Sequence, residues 1–295
     1  MTARKRKTYN RRTSKKSNKK KNWSFLKVIL LACTIVVSIY LIYAVGNDTI
    51  HIPTEKVFKT NTEKAQYNAN ELLSVRTDKD IDDIFIRYKA FNVSFNPTYR
   101  IPNYVVYELT KTEVEGEQKR ANSFECDRNV KGCPEPYEYT HSGYDRGHMA
   151  PAADMKWDYD AMHESFYMTN VCPQKHSLNG RGWKSLEEKL RDWAERDSAL
   201  IIVSGPILSR SMQTIGKTGI AIPERFFKAV LAPFATPARA IAFIYKNDGG
   251  QKYIEDQVVS VDEVEAATSL DFFYALPDDI ENRIEQSTDY KEWNN

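Results

Sequence analysis

Hydrophobic and polar positions alternate with different periods along the chain, and the period marks the elements. Residues 28–45, VILLACTIVVSIYLIYAV, run for eighteen positions without a charge. That is about the length of a slightly short or tilted membrane-crossing helix. Residues 47–77 are polar and mixed, with one short helix expected around Glu71–Val75, and read as a stalk. From Ile84 the texture changes. Ile84–Val93 and Tyr104–Leu109 are rich in β-branched and aromatic residues and are bounded by Pro and Asn, which predicts strands. Between Asn179 and Asp197 the period becomes helical, because Trp183, Leu186, Leu190 and Trp193 recur at spacings of three, four and three. Ala199–Val203 predicts a buried strand stopped by Gly205-Pro206, and Phe226–Leu231 and Ala240–Tyr245 predict two more. Ser260-Val261-Asp262-Glu263 has the form of a capping box opening a helix, and Pro277 begins another over Asp278–Gln286. Strands and separated helices without regular alternation predict an α+β domain, residues 78–295, with a largely antiparallel central sheet flanked by helices.

Charge changes how the ends are read. The chain has a formal net charge of +2, but residues 1–27 hold 12 Lys or Arg and no acid. The remainder carries 30 basic against 40 acidic groups, so the basic character belongs to the tail. A nucleic-acid role therefore cannot be argued from overall charge. Under the positive-inside rule, residues 1–27 form a cytosolic tail and 28–46 a transmembrane signal-anchor. The alternative is a cleaved signal peptide, for which Ala44-Val45-Gly46 is a poor site. A transit peptide fits less well, since the tail is Lys-rich and not amphipathic. The first two readings both put the domain outside the cytosol, on the periplasmic or extracellular side: membrane-anchored through residues 28–45, or secreted if the segment is cut. Cys126 and Cys133, separated by six residues that include a Gly, can close a small disulfide loop in an oxidising compartment; three free thiols, with Cys172, are the alternative.

The most unusual local sequence is Asp145-Arg146-Gly147-His148. A neutral imidazole is the side chain best matched to taking a proton near neutral pH. The neighbouring guanidinium suits an anionic substrate, whose two phosphate oxygens its planar fork can bind. Gly147 would let the backbone pass close to that substrate or take a conformation forbidden to other residues. Thirty residues on, Asn179 opens the amphipathic helix, and Glu187 and Arg191 follow on one ridge. Mg²⁺ takes oxygen ligands and often needs only one or two protein groups. Eight residues of helix rise about 12 Å, so Asn179 and Glu187 are not both direct ligands of one ion; Glu187 would act through water. Two other patterns fail. Gly216-Lys217-Thr218 lacks the Gly of a phosphate-binding loop at position 211, which is Ser211. Cys126, Cys133, His141 and His148 miss the spacing of a zinc site. His163 and His176 read as surface or loop histidines.

Taken together, Tyr144–Pro151, Phe166–Gln174 and Leu178–Trp183 resemble the sugar-non-specific DNA/RNA endonucleases, the endonuclease G-like enzymes with a ββα-metal, or His-Me finger, site. The likeness runs from about Tyr88 to Pro277 and includes Pro102–Leu109 and Ile222–Lys228. It implies His148 as general base and Asn179 as the metal ligand, with Mg²⁺, or Mn²⁺, as cofactor. It also implies Glu187 as the acid that holds metal-bound water, Arg146 and Arg191 as phosphate-binding cations, and Arg120 as a looser match to another. DNA and RNA are the implied substrates, and 5′-phosphate ends the implied products. Two rival readings remain open: a non-catalytic nucleic-acid-binding or uptake component with this fold, and a functional basic tail with the domain as passenger.

Overall fold

A computed structural model of the chain describes residues 57–59, 66–77, 79–249 and 253–294. The basic tail and the apolar segment 28–46 lie outside the described residues. Among the described residues no helix is long and apolar enough to cross a membrane.

The centre is a seven-stranded sheet in which every neighbouring pair is antiparallel. Its strands are β1 (Ile84–Arg87), β2 (Phe91–Asn96) and β3 (Ile101–Thr110). Outside this sheet β4 (Asp145–His148) and β5 (Val171–Gln174) pair with each other. The helix α1 (Trp183–Asp197) follows, then the sheet strands β6 (Ala199–Ile207), β7 (Arg225–Ala232), β8 (Arg239–Lys246) and β9 (Val258–Val259). The helices α2 (Val261–Thr268) and α3 (Asp278–Glu285) close the chain. Strand order across the sheet is β9-β8-β7-β6-β3-β2-β1.

Period-2 alternation splits the sheet's side chains between two cores. Val105, Tyr107 and Leu109 of β3 with Phe226 and Val230 of β7 face one side, where Trp183, Leu186, Leu190 and Trp193 of α1 cover them. Tyr104, Val106, Phe227, Ala229 and Leu231 face the other, under Val261 and Val264 of α2 and Ile284 of α3. Covering both faces is why the central strands read as near-continuous apolar runs rather than as alternating ones. The Ser260 capping box that opens α2 is formed, with Ser260 Oγ accepting from the Glu263 backbone at 3.1 Å and Glu263 Oε2 from the Ser260 backbone at 2.9 Å.

Three expectations change. The segment Ile84–Val93 is not one strand: the Tyr88 N–H donates to Phe91 O at 2.9 Å, and the chain turns there into the β1–β2 hairpin. Strand β6 runs on through Gly205-Pro206. Its β3 partner ends at Ser204, so Pro206 needs no donor on that side. The stalk also ends earlier than residue 77, since Leu72 is fully buried in the second core and Arg76–Thr77 pair with Leu270–Asp271.

The packing generates a first prediction. Leu190→Ala, in the α1 interface, should lower stability by about 2–5 kcal/mol, whereas Tyr137→Ala, at 67% exposure, should stay within about 0.5 kcal/mol. Urea unfolding of the two variants measures this, and equal losses would contradict the two-core description.

Candidate active site

Strands β4 and β5 form an antiparallel pair that leads into the helical segment, a ββα arrangement. The register sets His148 opposite Val171 and Gly147 opposite Cys172. Gly147 is required by close approach: a Cβ there would meet Gln174 Oε1 at 2.1 Å. The chain beyond His148 is clamped by the buried Asn170. Its Nδ2 donates to Ala150 O at 2.8 Å and its Oδ1 accepts from Ala150 N at 2.9 Å. The Trp183 indole donates to His148 O at 3.3 Å, tying the strand to the start of α1. Before α1, residues Leu178–Gly182 make a π-helical turn, a local widening that often accompanies functional sites. Asn179 sits in that turn.

These elements bring the expected residues to one cavity of about 520 Å³, bordered by Arg120, Arg146, His148, Asn179, Glu187 and Arg191, with Asp145 and Lys184 also on its wall. Its lining carries four cations against two carboxylates, although the chain beyond the tail is acidic. A larger concavity of about 610 Å³ borders Tyr144, Arg225 and Lys246, but it holds no histidine to take a proton.

His148 is buried, at 8% exposure, between the Phe124 and Phe166 rings at 5.1 and 5.0 Å. Its Nε2 is buried without a hydrogen-bond partner, and the residue lines the cavity. Burial, and next the nearby Arg120 charge, push its pKa from the ordinary 6.5 down to about 3. The imidazole is therefore neutral, the form able to accept a proton.

Asn179 Nδ2 donates to Asp145 Oδ2 at 3.0 Å, which leaves Oδ1 for a ligand. The same carboxylate oxygen meets His176 Nδ1 at 2.8 Å. His176 is an exposed surface histidine, as expected, that also reaches the site through Asp145. A neutral amide oxygen with a carboxylate further along the same wall is a donor set that fits a hard cation retaining most of its water.

Arg191 Nη1 donates to the buried Asp154 Oδ1 at 2.8 Å, and the Tyr107 hydroxyl donates to Asp154 Oδ2 at 2.9 Å. Arg146 is held by Pro136 O, which accepts from its Nε at 3.1 Å, with the Phe124 and Tyr139 rings beside the guanidinium. Arg120 lies over the Phe166 ring at 5.0 Å. Each guanidinium keeps N–H groups beyond these anchors for a phosphate. Glu187 is half-buried; desolvation raises its pKa, against the opposing charge of Lys228.

The sequence model of the DNA/RNA non-specific endonucleases matches residues 68–279. The chain belongs to this family. Among its relatives, the mitochondrial nuclease EXOG of Danio rerio is 35% identical over 210 residues, covering 64% of this chain and 60% of that protein. Human mitochondrial endonuclease G is 29% identical over 209 residues, covering 65% of each chain. The chain thus spans less than two thirds of the length of these curated relatives. A crystal structure of the EndoG/EndoGI complex, concerned with EndoG inhibition, shares the fold at a TM-score of 0.56 and 24% identity, over 66% of this chain and 87% of that one.

For this member of the endonuclease family, four buried or partly buried groups around the site escape the sequence reading: Asp145 as the anchor of Asn179, Asp154 as that of Arg191, Asn170 as the clamp, and Lys228. Lys228 is fully buried on the α1 side of β7, donating to Met149 O at 3.1 Å and Ser204 Oγ at 3.2 Å, with the Trp183 ring at 4.4 Å. Its sequence signal was its parity: alternation from Phe226 to Val230 puts a lysine where the core expects an apolar side chain. Of the two readings left open for Cys126 and Cys133, a disulfide or free thiols, the structure carries the second. Both thiols are free, and Cys126 Sγ donates to Cys133 O at 3.3 Å instead. The rejected zinc grouping stays rejected, because among the described residues Cys126, Cys133, His141 and His148 do not converge. Gly216, at φ +69°, turns a loop pinned by Thr218 Oγ1 donating to Glu138 Oε2 at 2.7 Å, not a phosphate loop.

Burial of His148 makes stability depend on pH. The unfolded imidazole takes its proton near 6.5 and the folded one only near 3, so between these values the unfolded state binds more protons and stability falls as pH falls. In urea unfolding at pH 6, 5 and 4, the wild type should lose about 1.4 kcal/mol per pH unit that His148→Ala does not lose. Parallel curves for the two proteins would contradict a buried neutral imidazole.

Proposed function

We propose that this family member is a divalent-metal-dependent endonuclease that hydrolyses phosphodiester bonds of DNA and RNA without sequence preference. One observation carries the reading: a neutral imidazole lines one cavity together with the side chains of Asn179, Glu187 and three arginines. The His148 imidazole takes the proton of the attacking water. Arg146 and Arg191 hold the non-bridging phosphate oxygens, with Arg120 at the outer edge. Asp154 keeps Arg191 in place, and Asp145 keeps Asn179 turned so that its Oδ1 can bind. Asn179 directly, and Glu187 through water, are the groups that would hold Mg²⁺ or Mn²⁺. When bound, the cation would stabilise charge on the phosphate and on the departing 3′ oxygen. The products would carry 5′-phosphate and 3′-hydroxyl ends. Because His148 is a separate base, the cation need not ionise the water itself. The tail and residues 28–45 would anchor this activity to a membrane, with the domain on the side away from the cytosol.

The test uses the full chain with supercoiled plasmid and a structured RNA, in Mg²⁺ and in chelator. Both should be cut only with the metal. His148→Ala should cut about 10²–10⁴-fold more slowly, and Asn179→Ala should lose metal-dependent cutting. Cutting should weaken steeply with added salt, as for any site that neutralises several phosphates. A folded protein that binds plasmid yet never cuts it would replace this reading with the non-catalytic one. For the membrane, the full chain should stay in the pellet after alkaline carbonate extraction, and its release would refute the anchor.

A further inference from the structure

The second core face carries a polar feature that the nuclease chemistry does not use. Asp262 and Glu265 stand one turn apart on α2, and Glu285 ends α3. One carboxylate oxygen from each lies within 4.8 Å of those of the other two. Glu285 is 6% exposed, and its Oε1 is buried with no hydrogen-bond partner. Glu265 Oε1 accepts from the Phe272 backbone at 2.6 Å, which leaves its other oxygen available.

Three carboxylates this close are not stable as bare anions. After desolvation, the groups acting most strongly on Glu285 are all acids, namely Glu265, Glu281, Asp262 and Asp271, and they push its pKa up to about 9. The cation nearest in effect, Arg76, bears on Glu281 and lies over the Tyr274 ring. Such a cluster is relieved by a proton or by a cation, and the two differ in geometry. Ca²⁺ takes about six to eight oxygen ligands in a flexible geometry, so it accepts carboxylates supplied by two helices with water completing the shell, whereas Mg²⁺ demands a near-ideal octahedron. Half-exposure of the group leaves room for water to complete the shell.

We propose that Asp262, Glu265 and Glu285 form a calcium site, separate from the candidate active site, that ties α2 to α3. The bound ion crosslinks the two helices that cover the second core. It thereby also steadies Leu270–Asp271, which lie between those helices and hold Arg76–Thr77 to the domain.

The experiment is thermal unfolding of the full chain carrying Asn179→Ala, so that the proposed metal ligand of the active site is absent, in millimolar CaCl₂ and in chelator. Calcium should raise Tm by about 3 °C or more. Adding Glu285→Gln should abolish the rise. Adding Asp262→Asn, an exposed change that the fold tolerates, should shift the Ca²⁺ midpoint upward by about tenfold or more and so decides the matter even if Glu285→Gln does not fold. No response to calcium in the Asn179→Ala chain would overturn the site. So would a response unchanged by Asp262→Asn. Unfolding is read without any nuclease assay, so the outcome is independent of whether the chain cuts nucleic acid.

Discussion

Burial of the central sheet on both faces is the constraint from which the rest follows. Each strand must supply apolar side chains upward and downward, so any polar side chain on an inner face needs partners supplied by the fold. Lys228 is the exception that organises the site. It sits in the middle of β7 on the α1 side and is satisfied by Met149 O, one residue past His148, and by Ser204 of the neighbouring strand. Its charge faces Glu187 and Asp154. The cavity residues are therefore not grafted onto an indifferent scaffold: a buried cation beneath them is balanced by the carboxylates that anchor or form the site. Replacing one member leaves another charge uncompensated in a dry interior, which is costlier than the loss of the contact itself.

The site is divided between groups that face the cavity and groups that aim them. His148, Asn179, Glu187 and the arginines line the open space. Asp145, itself on the cavity wall, and the buried Asp154 hold Asn179 and Arg191, while the buried Asn170 and Trp183 hold the backbone at Ala150 and His148. This is a preorganised arrangement, in which reactive groups need little rearrangement when an anion arrives. It also reconciles an acidic domain with a polyanion, because charge within about 8–10 Å decides the local field at physiological salt and more distant acids are screened.

Much of this was legible in the chain. The amphipathic period of α1 and the apolar runs gave the helix and the core strands, since those depend on local pattern. The Asp-Arg-Gly-His tetrad and Asn179 pointed to residues that the structure brings to one cavity, because unusual residue types stood at short spacing. The anchors were not legible for a physical reason: Asp154 meets Arg191 across 37 positions and Lys228 meets Met149 across 79, and no local period reports such pairs. The hairpin inside Ile84–Val93 was hidden because both of its strands are rich in β-branched and aromatic residues. The stalk boundary was hidden because two short strands, Arg76–Thr77 and Leu270–Asp271, recognise each other only after the domain has formed. Gly147 is required neither by a substrate's approach nor by an unusual backbone angle: the side chain of Gln174 leaves no room for a Cβ there.

The π-turn at Leu178–Gly182 has a consequence for how the two halves of the site are phased. A π-turn bonds i→i+5 rather than i→i+4, so it holds one extra residue of slack between Asn179 and the α1 ridge. Glu187 and Arg191 take their direction from α1, whose apolar face is locked against the sheet. Asn179 takes its direction from Asp145 on β4. The slack lets each obey its own anchor without a compromise in the other. Removing one residue from this segment would close the turn to the α form and take that freedom away, with the hydrophobic packing of α1 untouched.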